Sequence, residues 1–276
     1  MSSESRDKLK QIRFIAWSQP RSLTTALMRS MECVPDVELI YEPFTTSAFL
    51  GPERFRRYLT VELPMRKDLS FQATKEKMEM KFEGKKVIFA KDFAFNLNGN
   101  YDLIPDGYQH TFLIRHPIRT YLSMYRVWKN FNPELGVDIF KTYFTPRLGF
   151  QELHELYNYV VDKTGKEPLV LDTDDLLENP KGILKILCDE VGLEFSEQML
   201  SWGLEQPVQW NADDDYLNID KMIGFHGNSL SAGGFVAGSV KPLPKFEDLP
   251  EIVQEYVNIS QPFYDKLYEK RTTVSN

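Results

Sequence analysis

A short turn near the start of the chain combines one cation with several hydroxyl groups. It follows an apolar stretch at residues 12–17, and it carries Arg21, Ser22, Thr24 and Thr25. A helical pattern begins within the turn, and the first N–H groups of a helix lack partners while its dipole makes that end partly positive. Arginine and hydroxyl donors at such an end predict a site for a phosphate or a sulfate.

The same turn also has a plainer interpretation. The phosphate loop of nucleotide kinases needs the pattern G-x-x-x-x-G-K-[ST], and residues 18–25 contain neither glycine nor lysine. Ser22 is also a plausible N-cap of an ordinary helix, with Arg21 in solvent. By itself, the turn leaves an anion site and a capped helix equally open.

A second cation follows another apolar stretch later in the chain. Arg115 comes directly after residues 111–114, and Ser123 lies eight residues beyond it in a helical pattern. Eight helical residues make about two turns. Arg115 and Ser123 can therefore hold one phosphate from two sides, and the alternative is again a capped helix with solvated arginines.

Alternating strand and helix patterns must position these residues. Apolar runs predict five strands, at 12–17, 37–41, 86–90, 111–114 and 168–171. Helical spacing occurs between and after them, notably at 22–33, 147–164 and 181–191. The alternation predicts an α/β fold, a doubly wound parallel sheet of about five strands flanked by helices. Such sheets bind ligands beyond the carboxyl ends of their strands, where the predicted strands place Arg21, Glu42, Lys91, Asp92 and Arg115.

Composition limits the classes of protein to consider. The 276 residues, 42% of them apolar, predict one domain over 12–276 after a flexible N-terminus at 1–11. A net charge of −7 argues against a nucleic-acid partner bound through a broad basic surface. The two cysteines, Cys33 and Cys188, predict free thiols rather than disulfides or a zinc site.

Further patterns bear on the location of the protein and on the remaining candidate residues. The N-terminus lacks the apolar core of a signal peptide, and no stretch reaches the ~18 apolar residues of a membrane helix. We therefore expect a soluble, cytoplasmic protein with no membrane partner.

Glycines and serines at 221–241 predict a lid or a binding loop. The four histidines are expected to be structural or solvated: His110, His116, His154 and His226.

Three motifs, in order along the chain, resemble those of the sulfotransferase family. Residues 20–25 resemble its 5′-phosphosulfate loop, Pro-Lys/Arg-Ser-Gly-Thr-Thr. Residues 115–117, followed by Ser123, resemble its 3′-phosphate motif, Arg-x-Pro with a serine eight residues on. Residues 171–180 are similar to its later strand and Glu-Asp-Leu segment. The resemblance covers most of residues 12–195 and implies a P-loop NTPase-like fold.

The resemblance implies a co-substrate and the residues that bind it. The donor would be 3′-phosphoadenosine 5′-phosphosulfate (PAPS), used without a metal, and its sulfuryl group would pass to a hydroxyl or amine of a small-molecule acceptor. The residues implied to bind PAPS are Arg21, Ser22, Leu23, Thr24, Thr25, Arg115 and Ser123. Leu23 stands where the family has glycine, and its side chain limits the approach of the backbone to a ligand, although a helical conformation there is acceptable.

The resemblance also implies candidates for the catalytic groups. Many family members use a histidine after the third strand, but this chain has Lys91, Asp92 and Phe93 there. Other branches use a glutamate after the second strand, and Glu42 fits that position. Glu42 is thus the first candidate for the base and Asp92 the second, while Lys91 can stabilise the leaving phosphate. The alternative for Glu42 is a carboxylate that pairs with an arginine of the loop.

Two other functions remain open on the sequence. A nucleotide kinase with an unusual phosphate loop would need ATP and Mg²⁺, and the missing Gly-Lys-Ser/Thr pattern argues against it. A non-catalytic protein could keep the fold and bind the nucleotide without turnover. Leu23 and the missing histidine after the third strand favour this last reading. The sequence leaves the oligomeric state open.

Overall fold

A five-stranded parallel sheet forms the centre of the molecule. The structure is a computed structural model that describes residues 11–56, 63–143, 149–204, 210–223 and 232–274. The strands are β1 Ile12–Ser18, β2 Val37–Tyr41, β3 Val87–Phe93, β4 Gln109–Ile114 and β5 Leu169–Asp172. Their order across the sheet is β2-β3-β1-β4-β5, and every neighbouring pair is parallel. The predicted α/β class and strand number are confirmed.

Helices connect the strands and cover the sheet. Within the described residues they are α1 Thr24–Met31, α2 Pro43–Leu50, α3 Phe71–Glu79, α4 Pro117–Phe131, α5 Gly136–Tyr143, α6 Phe150–Thr164, α7 Thr173–Glu178, α8 Pro180–Val191, α9 Asp214–Ile223 and α10 Glu251–Tyr268. Short 3-10 helices lie at Lys67–Leu69, Ala94–Leu97, Tyr101–Leu103, Glu197–Leu200 and Phe246–Asp248. None of these helices is long and apolar enough to cross a membrane.

The sheet separates two apolar cores. Ile15 and Trp17 of β1 face the core built with α2, α3, α4, α6 and α10, whereas Phe14 and Ala16 face the core built with α1 and α8. Successive side chains of a strand point to opposite faces, so both faces of β1 are buried. Continuous apolar runs are typical of such strands, and this explains why the sequence patterns located them.

The start of α1 differs from the prediction. The predicted helix over 22–33 begins only at Thr24, and Ser22 does not cap it. Leu23 occupies the N-cap position instead, and it makes no side-chain capping bond. The reason is a turn through two left-handed residues, Arg21 at φ 67° and Leu23 at φ 61°. The helical conformation expected for Leu23 is therefore wrong.

Two other segments also differ from their predicted boundaries. β3 continues through Phe93, so Lys91 and Asp92 lie within the strand and not in the loop after it. Residues 221–223 of the predicted 221–241 loop belong to α9. Residues 224–231, which include His226, lie outside the described residues, as do residues 1–10. Both cysteines are free thiols, as predicted.

Candidate active site

Hydrogen bonds join the loop after β1 to the start of α4. Arg21 Nε donates to Ser123 Oγ over 3.1 Å. The Arg115 guanidinium donates to the backbone carbonyl of Arg21. Gln19 Nε2 donates to the backbone carbonyl of Arg115 over 3.0 Å. The structure thus brings together Arg21, Arg115 and Ser123, which lie far apart in the sequence.

This junction concentrates positive charge. Burial lowers the pKa of Arg115 to about 10; Asp174 opposes that shift, while the neighbouring charges of Arg21 and Arg119 add to it. Burial also lowers the pKa of Arg21. Both guanidiniums remain charged near neutral pH, and Arg115 donates to a neutral carbonyl rather than to a carboxylate. Two like charges held close together in a partly dehydrated place favour the binding of an anion.

Several buried polar atoms of the same junction have no hydrogen-bond partner within the described part of the chain. They include Ser18 Oγ, Ser22 Oγ, Arg115 Nε and the acceptor Gln19 Oε1. Buried polar atoms in folded proteins are nearly always paired. Three of these four atoms are donors, so their clustering fits a ligand that carries several acceptor oxygens, such as a phosphate or a phosphosulfate.

Backbone strain marks the carboxyl ends of β1 and β2. Arg21, Leu23 and Glu42 all have positive φ, at 67°, 61° and 47°. A left-handed conformation costs a residue with a side chain about 1–2 kcal/mol, and such residues cluster at functional sites. Leu23 therefore adopts the conformation that glycine, the usual family residue here, takes without penalty.

The second half of the site is a buried network around Glu42. Glu42 Oε1 accepts from Lys91 Nζ, and Glu42 Oε2 accepts from the hydroxyl of Tyr216. The exposed fraction is 1% for Glu42, 0% for Lys91 and 3% for Tyr216. Lys91 Nζ also lies 4.2 Å from the centre of the Tyr41 ring. The expected alternative partner, an arginine of the loop, is replaced by the lysine of the neighbouring strand.

Asp92 faces the other side of β3 and holds the start of α2. Its carboxylate accepts from Phe44 N at 2.6 Å, Thr45 Oγ1 at 2.5 Å and Phe93 N at 2.7 Å, with Thr45 N at 3.3 Å. Burial raises the pKa of Asp92 to about 7; the Thr45 hydrogen bond opposes this shift, and the charge of Glu42 adds to it. The carboxylate is 0% exposed and surrounded by donors, as in a structural cap.

A cavity of about 500 Å³ lies beside the edge strand β2. Its wall includes Tyr41 and Pro43, which are the two chain neighbours of Glu42, together with Met78, Arg66 and Asp215. This volume is in the range of small-molecule pockets, roughly 300–1,000 Å³. The mixture of apolar and charged lining suits a ligand with both kinds of surface.

Comparison with known proteins identifies the family. A family model described as "Sulfotransferase domain" matches residues 12–267. The chain belongs to the sulfotransferase family. Its fold is similar to that of the "Sulfotransferase Domain from the Curacin Biosynthetic Pathway", with a TM-score of 0.50 at 13% identity, covering 95% of this chain and 99% of that one. It is similar to mouse sulfotransferase SULT7A1 complexed with PAP, with a TM-score of 0.50 at 14% identity, covering 98% of this chain and 91% of that one.

Curated relatives of this sulfotransferase-family chain are larger proteins. It is 29% identical over 189 residues to "Branched-chain-amino-acid aminotransferase-like protein 2" of Arabidopsis thaliana, and 29% identical over 191 residues to protein 1 of the same name. Each alignment covers 68% of this chain and 31% of the relative. The chain thus spans about a third of the length of these relatives.

The described histidines of this family member have structural partners. His110 Nδ1 accepts from Trp17 Nε1 over 3.0 Å, and His116 Nδ1 accepts from Ile118 N at the start of α4. Burial lowers the pKa of His110 to about 4 and thereby favours its neutral form. Among the described residues, no group of three or more His, Cys, Asp or Glu side chains is placed to hold a metal ion.

One residue of the Glu42 network was not predicted from the sequence. Tyr216 reaches Glu42 from α9, which is 174 positions away along the chain. A tyrosine in an amphipathic helix is ordinary core material, so the local pattern carried no signal. Thr24 and Thr25, by contrast, lie where they were expected, in the first turn of α1, and are 4% and 6% exposed.

Proposed function

We propose that the chain transfers a sulfuryl group from PAPS to a hydroxyl or amine of a small-molecule acceptor. The observation that carries this proposal is the junction of Arg21, Ser123 and Arg115, where two cations from separate loops are held side by side. Two linked cationic loops suit a nucleotide with anionic groups at both its 5′ and 3′ positions. The PAP complex of mouse SULT7A1 supports the same choice of nucleotide.

Each loop would bind one end of the nucleotide. The β1–α1 loop would hold the 5′-phosphosulfate through Arg21, the backbone beside Leu23, and the hydroxyls of Ser22, Thr24 and Thr25. The positive end of α1 would stabilise the same charge. The start of α4 would hold the 3′-phosphate through Arg115 and Ser123.

Glu42 is the proposed base. In the transfer, the sulfuryl sulfur bonds to the acceptor oxygen or nitrogen as its bond to the donor phosphate oxygen breaks, and the acceptor proton passes to the Glu42 carboxylate. Lys91, bonded to Glu42, would offset negative charge that develops on the leaving phosphate. Asp92 remains the second candidate, but the donors around its carboxylate favour a positioning role.

The cavity beside β2 offers room for the acceptor. It is bounded by both chain neighbours of Glu42, and its apolar and charged lining favours an amphipathic small molecule. We propose that a small acceptor, rather than nucleic acid or a membrane lipid, is the physiological partner.

Transfer of radiolabelled sulfuryl from PAPS to a panel of phenols, alcohols and amines tests this function. The expected result is a labelled product that requires PAPS and forms without added Mg²⁺. Thermal shift distinguishes the kinase alternative, because a kinase would be stabilised by ATP with Mg²⁺ and not by 3′-phosphoadenosine 5′-phosphate (PAP). Stabilisation by ATP with Mg²⁺ alone would reject the proposal.

A non-catalytic nucleotide-binding protein is the second candidate. It is favoured by the burial of Glu42, which is 1% exposed and already accepts from both Lys91 and Tyr216. This candidate predicts tight PAP binding with no product from any acceptor in the panel.

A further inference from the structure

We propose that Tyr216 is a positioning residue for Glu42, holding its carboxylate in the orientation needed to accept the proton of the acceptor. This inference rests on the proposed function, because it gives Tyr216 a role in the same transfer. It adds to the site a residue of α9, an element that none of the sequence motifs includes.

The hydrogen bonds divide the Glu42 carboxylate between two elements. Oε1 accepts from Lys91 of β3, and Oε2 accepts from Tyr216 of α9. Each carboxylate oxygen has two lone pairs, so one on each oxygen stays available for a proton. With a donor fixed on each side, the plane of the carboxylate cannot turn without breaking one bond. The hydroxyl of Tyr216 keeps its own proton throughout.

Several contacts fix the place of Tyr216. Asp213 Oδ1 accepts from Tyr216 N over 3.2 Å and from Asp215 N over 3.0 Å, and thereby caps α9. Asp213 also forms an ion pair of 3.2 Å with Arg66. These bonds anchor the first turn of α9.

The segment before α9 is attached to the edge strand that leads into Glu42. Asn211 forms a parallel bridge with Ile40 of β2. The Trp210 ring stacks on the Tyr41 ring with centroids 5.2 Å apart. The edge of β2 and the start of α9 therefore act as one support, which sets the distance between Tyr216 and Glu42.

The role belongs to the hydroxyl rather than to the ring. The Tyr216 ring packs against Phe49 and Tyr41, with centroids 5.8 Å and 6.2 Å apart, and a phenylalanine would keep this packing. The phenylalanine would, however, remove one of the two hydrogen-bond donors to the buried Glu42 carboxylate. Such a loss is costly when no water replaces the donor. Of the charged groups beside Glu42, Lys91 already donates to Oε1, and the Asp92 carboxylate accepts from the start of α2.

Tyr216→Phe tests the proposal in the full chain. We expect kcat to fall about ten- to a hundredfold, as for loss of a hydrogen bond to a charged group, with acceptor KM and PAP affinity within about twofold. Tyr108→Phe is the matched control: Tyr108 lies just before β4, its buried hydroxyl donates to the Met78 carbonyl of α3, and the variant should keep the wild-type kcat.

A double-mutant cycle with Glu42→Gln separates positioning from general destabilisation. If Tyr216 acts through Glu42, Y216F should change the residual kcat of E42Q less than about twofold. The shift in urea midpoint caused by Y216F should also be smaller in the E42Q background, since a neutral amide accepts a weaker bond. An equal loss of kcat in both backgrounds, or a wild-type kcat in Y216F alone, would overturn the inference.

Failure of the proposed function gives a different pattern. A wild-type chain that binds PAP but forms no product overturns the transferase proposal, and with it the catalytic role of Tyr216, before any variant is compared. Turnover by the wild type together with unchanged turnover by Y216F overturns only the role of Tyr216.

Discussion

The two halves of the site handle charge in opposite ways. At the junction of β1 and α4, Arg21 donates to a hydroxyl and Arg115 donates to a backbone carbonyl, so two guanidiniums lie close together beside neutral acceptors. At the ends of β2 and β3, Glu42 and Lys91 form an ion pair, and the side chain of each is at most 1% exposed. In the proposed function, the first half would bind the anionic nucleotide, whereas the second half, already an ion pair, would act on the acceptor.

This difference separates binding from chemistry. Changes at the arginine junction should weaken the nucleotide complex because they remove charge that the ligand needs. Changes in the Glu42 network should leave nucleotide affinity alone and lower kcat. A variant of the Glu42 network that weakened nucleotide binding would show that the two halves are not separate.

The largest expected effect is that of Glu42→Gln on turnover. Loss of a general base lowers kcat by about 10²–10⁴-fold, and PAP affinity should stay within about twofold because the Glu42 carboxylate accepts from Lys91 and Tyr216, which lie outside the β1–α1 loop. Steady-state kinetics and calorimetry check the two halves of this statement. Glu83→Gln is the control, since this exposed carboxylate pairs with Lys81 between α3 and β3, and it should keep full kcat. Weaker PAP binding by E42Q would contradict the separation of nucleotide binding from catalysis.

Arg115→Ala should have the next largest effect, on binding. Removal of a guanidinium that pairs with a phosphate should weaken PAP affinity by about a hundredfold, as measured by isothermal titration. Arg126→Ala removes the same charge from the exposed face of α4 and should change the affinity less than about twofold. Equal losses in the two variants would mean that only net charge matters.

The sequence patterns placed Arg21, Arg115 and Ser123 at one edge of the sheet, where the structure brings them together, but they located only part of the Glu42 network. Arg21, Arg115 and Ser123 follow strands in recognisable motifs, and strand ends in a parallel sheet must meet at one edge. Tyr216 and the cap that Asp92 gives to α2 are long-range contacts between elements with ordinary local patterns. The left-handed turn at Leu23 was missed because leucine is a rare residue for that conformation.

A smaller effect concerns stability and pH. The pKa of Asp92 is raised from 3.8 to about 7 in the folded chain, so the folded state keeps a proton that the unfolded state releases. The contribution of Asp92 to the free energy of unfolding is therefore complete below about pH 4, and it is lost as the pH rises toward about 7. We expect the unfolding free energy of the wild type to fall relative to that of Asp92→Asn across this range in urea titrations. A difference that stays constant with pH would contradict a buried, protonated Asp92.

The smallest effect is expected at Leu23. Leu23→Gly relieves a left-handed conformation worth about 1 kcal/mol and opens the backbone to the ligand, so PAP should bind a few times more tightly. Asn98→Gly relieves a similar conformation, φ 49°, at an exposed turn and should leave PAP affinity unchanged. Tighter binding in both variants would point to a general effect on the fold.

We propose that two cationic loops of this chain bind a nucleotide at both of its phosphate positions. Isothermal titration of the wild-type chain with PAP and with 5′-AMP, which lacks the 3′-phosphate, tests it most directly. We expect one PAP per chain, bound at least about a hundredfold more tightly than 5′-AMP. Equal affinity for the two nucleotides, or no heat with PAP at high micromolar concentration, would contradict it.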